Sequence, residues 1–163
     1  MTTRTATPPV IFTDDGWIFG DEPPVTVEDL WEKVVGSYAG TGGGLWWSIG
    51  DHEVYHYETQ VGEIFGEDME RLDQAVDSFA HSATPGVTHR IATNVKALLK
   101  SGGPLAIMSQ LCREAGMQFF PRVRMNSHYV IDSQHPGYGR FRRENPELLI
   151  GRPDELLPEN SIE

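Results

Sequence analysis

The stretch that most constrains this chain runs from Gly103 to Tyr129, GPLAIMSQLCREAGMQFFPRVRMNSHY. Pro104 suits a first helical position, where a missing N–H and a fixed φ cost nothing. Leu105, Met108, Leu111, Cys112 and Ala115 then recur at helical spacing and form one apolar stripe. Gly116 follows where a helix hands its last carbonyls to a left-handed residue. Met117 to Met125 is short, aromatic and partly alternating, which predicts a strand. On it Met117, Phe119, Val123 and Met125 share one face, and Gln118, Phe120, Arg122 and Arg124 share the other. Helices cover one face of such a strand. The two arginines fall on the opposite face near its carboxyl end, where α/β proteins bind ligands. Pro121 opposes a central strand because it lacks the N–H a ladder needs, so a bulge or a break in pairing is expected there.

The rest of the chain supplies similar units. Residues 1–9 read as a loose lead-in, 10–150 as one α/β domain, and 151–163 as a solvated tail. Val10 to Phe12 begins a short strand that meets the turn signature Asp14-Asp15-Gly16. Thr26 and Asp29 imitate a capping box, with Asp where Glu or Gln is usual. Val27, Leu30, Trp31, Val34, Val35 and Tyr38 then give an amphipathic helix. The glycines from Gly40 to Gly44 stop that helix; they lack the Lys-Ser/Thr of a phosphate loop. Leu45 to Ile49, LWWSI, is a buried strand ending at Gly50-Asp51. Asp51 to Gly66 fits a strand or a helix, and helices are expected over 67–80 and 88–100. Phe141 to Ile150 suggests a helical turn interrupted at Pro146. Helices between strands point to parallel pairing through crossovers.

Composition narrows the function classes. With 163 residues the chain can build a real core, since a domain of about 150 residues buries roughly 68–70% of its unfolded surface. A formal charge of −11 argues against nucleic-acid or anionic-membrane binding, both of which need a basic face. The lone Cys112 excludes an internal disulfide and sits on an apolar stripe, as a small core residue does. No segment reaches the roughly 18–20 apolar residues of a membrane span. The N-terminal MTTRTATPPV shows no apolar signal-peptide core, so a cytoplasmic location is the default expectation.

Two constellations could carry chemistry. His52-Glu53-Val54-Tyr55-His56 matches HExxH, which on a helix holds zinc between its histidines while the Glu activates water. It opens directly after Gly50-Asp51 and is strand-like in composition, so no zinc and no other cofactor is expected, with a zinc hydrolase using His52, Glu53 and His56 as the alternative. His128, Asp132 and His135 have unspecific loop spacing for a metal. The stronger candidate is Arg122, Arg124, Asn126 and His128, which alternate so that all four point to one side. Guanidinium forks suit carboxylates and sulfates. The anion that meets them comes from a ligand or from Asp14, Asp15 or Asp51 at neighbouring strand ends.

GPLAIMSQLCREAGMQFFPRVRMN, followed after a loop by FRRENPELLIG, resembles the glycoside-hydrolase-like TIM-barrel proteins of bacteria. Gly103-Pro104-Leu105 stands where Asp-Pro-Leu is usual there. Asn145-Pro146-Glu147-Leu148 stands where His-Pro-Glu-Trp is usual. The segment TVEDLWEKVVGSYAGTGGGLWWSIGD is similar to the helix and strand that precede this unit, so the resemblance covers roughly residues 10–150. A complete barrel takes about 200–250 residues and eight strands. The resemblance therefore implies a partial (β/α) barrel-like unit, with another chain or self-association completing the sheet.

It also implies a carbohydrate ligand, bound or hydrolysed at the carboxyl ends of the strands. In that reading Arg122, Arg124, Asn126 and His128 orient the sugar, which the arginines would suit to an anionic group. Asp51 is the expected acid, ahead of Asp14, Asp15 and Glu53. Trp46 or Trp47 would offer a stacking face. A non-catalytic protein pairing through an open sheet edge is the remaining alternative.

Overall fold

A computed structural model describes residues 10–51, 53–68, 86–125 and 137–148. It is a mixed α/β structure built on an open, mostly parallel sheet. The central strand is β2, Gly44–Asp51. Strand β1, Ile11–Asp14, runs parallel along one edge, from Ile11 beside Gly44 to Asp14 beside Trp47. Strand β5, Gln118–Arg124, runs parallel along the other, from Gln118 beside Gly44 to Arg124 beside Asp51. The short β3, Val54–Tyr55, folds back antiparallel on the last two residues of β2, and β4, Glu63–Ile64, pairs parallel with β3.

Alternation along β2 divides the sheet into a covered and an open side. Leu45, Trp47 and Ile49 are buried. They share one apolar cluster with Leu30, Val34 and Val35, with Val95 and Leu98, and with Met108 and Cys112. Those partners belong to three helical segments on the same side. Each fully buried aliphatic side chain of this set stabilises the fold by about 1.5–3 kcal/mol. Trp46, by contrast, is 41% exposed, and its register neighbours Thr13 and Phe120 are also exposed. Burial holds the Cys112 thiol up at about 11, so it behaves as a core residue rather than a nucleophile.

The helical segments form for reasons visible in their ends. Helix α1, Val27–Leu30, is opened by a closed capping box: Thr26 Oγ1 accepts from the Asp29 amide at 3.1 Å, and Asp29 accepts from the Thr26 amide at 2.9 Å. Thr26 hydrogen bonds and then Lys33 favour the ionised form of Asp29, the form this capping box uses. The helix does not stay α: Trp31–Val35 is π-helical and Gly36–Tyr38 a 3-10 turn. Helix α2, Val87–Lys100, and helix α3, Pro104–Glu114, lie within a residue or two of their expected bounds. Past α3 the Met117 amide reaches Cys112 O at 2.8 Å and the Gly116 amide reaches Arg113 O at 3.1 Å. With Gly116 at φ 69°, this pair of bonds is a Schellman stop. Helix α4, Arg140–Glu144, is followed by a 3-10 turn at Pro146–Leu148.

Several expectations need correction. Glu67 and Asp68 are not helical, and the remainder of the helix expected over 67–80 lies outside the described residues, as does the tail. Met125 was expected on the covered face, yet it lies just past β5 and is 73% exposed. Pro121 does sit within β5. Among the described residues that strand pairs with β2 alone, and an edge strand tolerates a missing N–H. The irregularity comes two residues later, where Ile49 and Gly50 of β2 stand against the single Val123 of β5.

One buried polar residue ties α2 to the loop after β1. Asn94, fully buried, accepts from the Val25 amide at 2.8 Å and donates to Phe19 O and Asp21 O, both at 2.9 Å. Asn94→Ala leaves one amide and two carbonyls without these partners. Each buried group left unmade costs about 1–3 kcal/mol. The Asp21 carbonyl is only part-buried and can turn to water. Counting the other two groups, the variant should lose about 2–6 kcal/mol in urea denaturation, and a loss below about 1 kcal/mol would show that the loop closes without it.

Candidate functional site

The carboxyl ends of β1, β2 and β5 come together around Asp15, Ser48, Arg122 and Arg124. The turn after β1 presents the acid. Asp14 Oδ1 accepts the Gly16 amide at 2.8 Å, a local bond of the kind that makes Asp a turn residue. Gly16 has φ 74°, and a Cβ there would stand 2.3 Å from Ser48 O, so only glycine lets this turn lie on β2. Asp15, at its tip, forms ion pairs with both arginines of β5: with Arg122 through Oδ1, and with Arg124 through Oδ2 at 3.3 Å.

Arg122 is fixed twice more. Its Nε and Nη2 donate to Ser48 Oγ at 3.0 and 2.7 Å. Ser48 is 6% exposed and pairs in register with Arg122, so the guanidinium crosses the open side of β2 to reach Asp15. The ion-paired side chains remain 28–41% exposed. At that exposure each pair contributes about 0.2–1 kcal/mol, so the network positions its members more than it stabilises the fold.

The expected residues divide as follows. Arg122 and Arg124 share the open side, as their alternation implies. Asp15, among the three candidate aspartates, supplies a carboxylate to both. Asp51 ends β2 in register with Arg124 and is partly buried. Trp46 shows an exposed ring on the same side as Ser48, Phe120 and Arg122. Trp47 does not: it is fully buried, stacked on Phe19 with ring centroids 5.2 Å apart, so it has no face to offer a ligand. Asn126, His128, Asp132 and His135 lie outside the described residues. Ser48 was missed, although the period of two in LWWSI places it beside Trp46.

The HEVYH stretch is built differently. Its Val54–Tyr55 is β3, so the helical spacing of a zinc-binding HExxH is absent, and His52 lies outside the described residues. Glu53 Oε2 accepts the Arg142 amide of α4 at 3.3 Å, and its Oε1 is buried without a hydrogen-bond partner. Glu63 accepts the Arg140 amide and pairs with Arg143 Nη2 at 3.3 Å. Arg142 covers the Tyr138 ring at 3.9 Å. These two glutamates thus anchor α4 to the β3–β4 pair. Among the described residues no group of three or more His, Cys, Asp or Glu is placed to hold a metal ion. Among the same residues no helix is long and apolar enough to cross a membrane.

His56 lies against Phe19, with ring centroids 4.4 Å apart, and edge-on to Phe65 at 5.7 Å. Its Nδ1 is shielded from water without a hydrogen-bond partner. Burial disfavours the imidazolium and lowers its pKa from 6.5 to about 4.

No protein-family model matches the chain, and no curated protein matches it. The geometry alone defines the candidate: an Asp–Arg–Arg–Ser network beside an exposed Trp, at the carboxyl ends of parallel strands.

The His56 environment sets a pH dependence. The unfolded chain takes up this proton near pH 6.5, and the folded chain only near 4. Stability from this group is complete above pH 6.5 and is lost as pH falls toward 4. The loss should be about 1–3 kcal/mol, the upper part of the range being reduced because the residue is not wholly enclosed. Urea denaturation of wild type and His56→Phe between pH 7 and 4.5 measures it. Parallel profiles for the two proteins would contradict the assignment.

Proposed function

We propose that this chain is carbohydrate-active, binding or hydrolysing a sugar on the open side of the sheet at the carboxyl ends of β1, β2 and β5. One observation carries the reading: the exposed Trp46 ring shares a sheet face with the Asp15–Arg122–Arg124–Ser48 network. Sugars combine an apolar C–H surface with directional hydroxyls. An aromatic face beside fixed donors and acceptors suits both features. The resemblance to bacterial glycoside-hydrolase-like barrels supports the same reading.

In this proposal Trp46 stacks on the ring, Arg122 and Arg124 orient hydroxyls, and Asp51 is the acid if the bond is cleaved. Hydrolysis requires a second carboxyl, about 5–5.5 Å away for retention or 6.5–9.5 Å for inversion. Turnover of a chromogenic glycoside therefore separates an enzyme from a binder. The same proposal treats the sheet as part of a (β/α) barrel. The parallel β1, β2 and β5 lie side by side in that order, although β3 and β4 intervene in the chain, and the helical segments share one side, which suits βα units of a barrel. Continuation by a second chain along the outer edge of β5 would cover a ladder that has no partner among the described residues. Sedimentation of the purified chain reads that association directly, and a monomer at high concentration contradicts it.

Trp46→Ala tests the sugar site. Screening on a glycan array followed by calorimetry should find a ligand whose affinity falls at least tenfold in the variant, about 1.4 kcal/mol or more. The melting temperature should change little, because the ring lies outside the core. Equal affinity in both proteins would remove Trp46 from the site.

A further inference from the structure

We infer that Asp15 is a built-in occupant of an oxyanion site, so that the folded site admits neutral hydroxyl-bearing sugars and excludes acidic ones. The sugar half of this inference rests on the proposed function; the oxyanion half rests on geometry alone. Arg122 and Arg124 meet the two oxygens of one carboxylate, Oδ1 and Oδ2 of Asp15. This is the arrangement a ligand carboxylate or sulfate would take between two guanidinium groups. The position is already filled.

Three features keep it filled. The Asp14–Gly16 hydrogen bond and the close approach of Gly16 to Ser48 O hold the Asp15 turn on β2. A tethered carboxylate acts at an effective concentration of about millimolar or more, which a free acid must exceed. Arg122 cannot readily turn toward another anion, because two of its nitrogens are bound to the nearly buried Ser48 hydroxyl. Asp51 places a second carboxylate in register with Arg124, and the chain as a whole carries a formal charge of −11. An approaching anion therefore meets both a local competitor and a repulsive field. A neutral sugar needs neither arginine to be vacated. Its hydroxyls donate to the outer lone pairs of Asp15, whose side chain is 41% exposed, while Trp46 covers its C–H face.

The inference makes Asp15 a specificity residue rather than a structural one, and substitution separates the two roles. Wild type and Asp15→Asn are titrated with sodium sulfate, and with a neutral disaccharide and its uronic-acid counterpart, at constant ionic strength. Wild type should favour the neutral disaccharide. Asp15→Asn should gain at least tenfold for sulfate and for the acidic disaccharide, and adding Arg122→Gln should remove the gain. Wild type binding the acidic disaccharide as tightly as the neutral one overturns the inference, as does an Asp15→Asn variant that gains nothing for sulfate. A gain for sulfate with no saccharide binding in either protein upholds the oxyanion site and overturns the sugar reading. If melting curves show that Asp15→Asn does not fold, the wild-type ranking of the two disaccharides decides.

Discussion

Everything in this structure depends on how β2 is enclosed. Residues 44–47 are paired on both edges, with β1 on one side and β5 on the other. With no free edge there, the strand can express its sequence only through its two faces. Leu45, Trp47 and Ile49 go to the helices, and the residues between them go to the open side. The burial of one set fixes the presentation of the other, because a strand slip of one residue would exchange them. Trp46 and Ser48 are thus held at the surface by the packing of their immediate neighbours.

The same constraint assembles the polar network. Asp15, in the turn after β1, and Arg122, on β5, lie on opposite sides of β2 and meet only by crossing it. Ser48 is the residue they cross. The network joins segments more than 70 residues apart in the chain, yet its individual ion pairs are too exposed to stabilise the fold greatly. Glu53 and Glu63 act in a different setting. They receive backbone amides from α4 and secure a peripheral segment, whereas His56, packed against Phe19 and Phe65, is disfavoured in its charged form by burial. These two sets of acidic residues therefore have separate tasks: Asp15 presents a carboxylate at the strand ends, and Glu53 and Glu63 fasten a helix.

Local signals were legible in the sequence wherever their causes are local. Pro104, the apolar stripe of α3 and Gly116 bound that helix closely, and the alternation of β5 places both arginines correctly. Thr26 and Asp29 close the capping box they suggest. Trp46 and Trp47 are indistinguishable in composition, and their opposite fates follow only once helices cover one side of β2. The choice among Asp14, Asp15 and Asp51 as a partner for the arginines depends on the register of β1, β2 and β5, which no single segment encodes. Asn94 reads as an ordinary polar helix residue, because its three partners lie about 70 residues away. HEVYH carries a motif spacing that acquires its zinc-binding meaning only on a helix, and β3 removes that geometry.

We propose that the open side of the sheet, at the carboxyl ends of its parallel strands, binds carbohydrate. Chemical-shift mapping with a neutral oligosaccharide tests it most directly. The account predicts that the Trp46 indole and the amides of Ser48, Phe120 and Arg122 move together on titration, while the core reporters Trp47 and Met108 remain still. Shifts confined to the helical side or to the Glu53–α4 contact, or no shifts at tens of millimolar sugar, would contradict it.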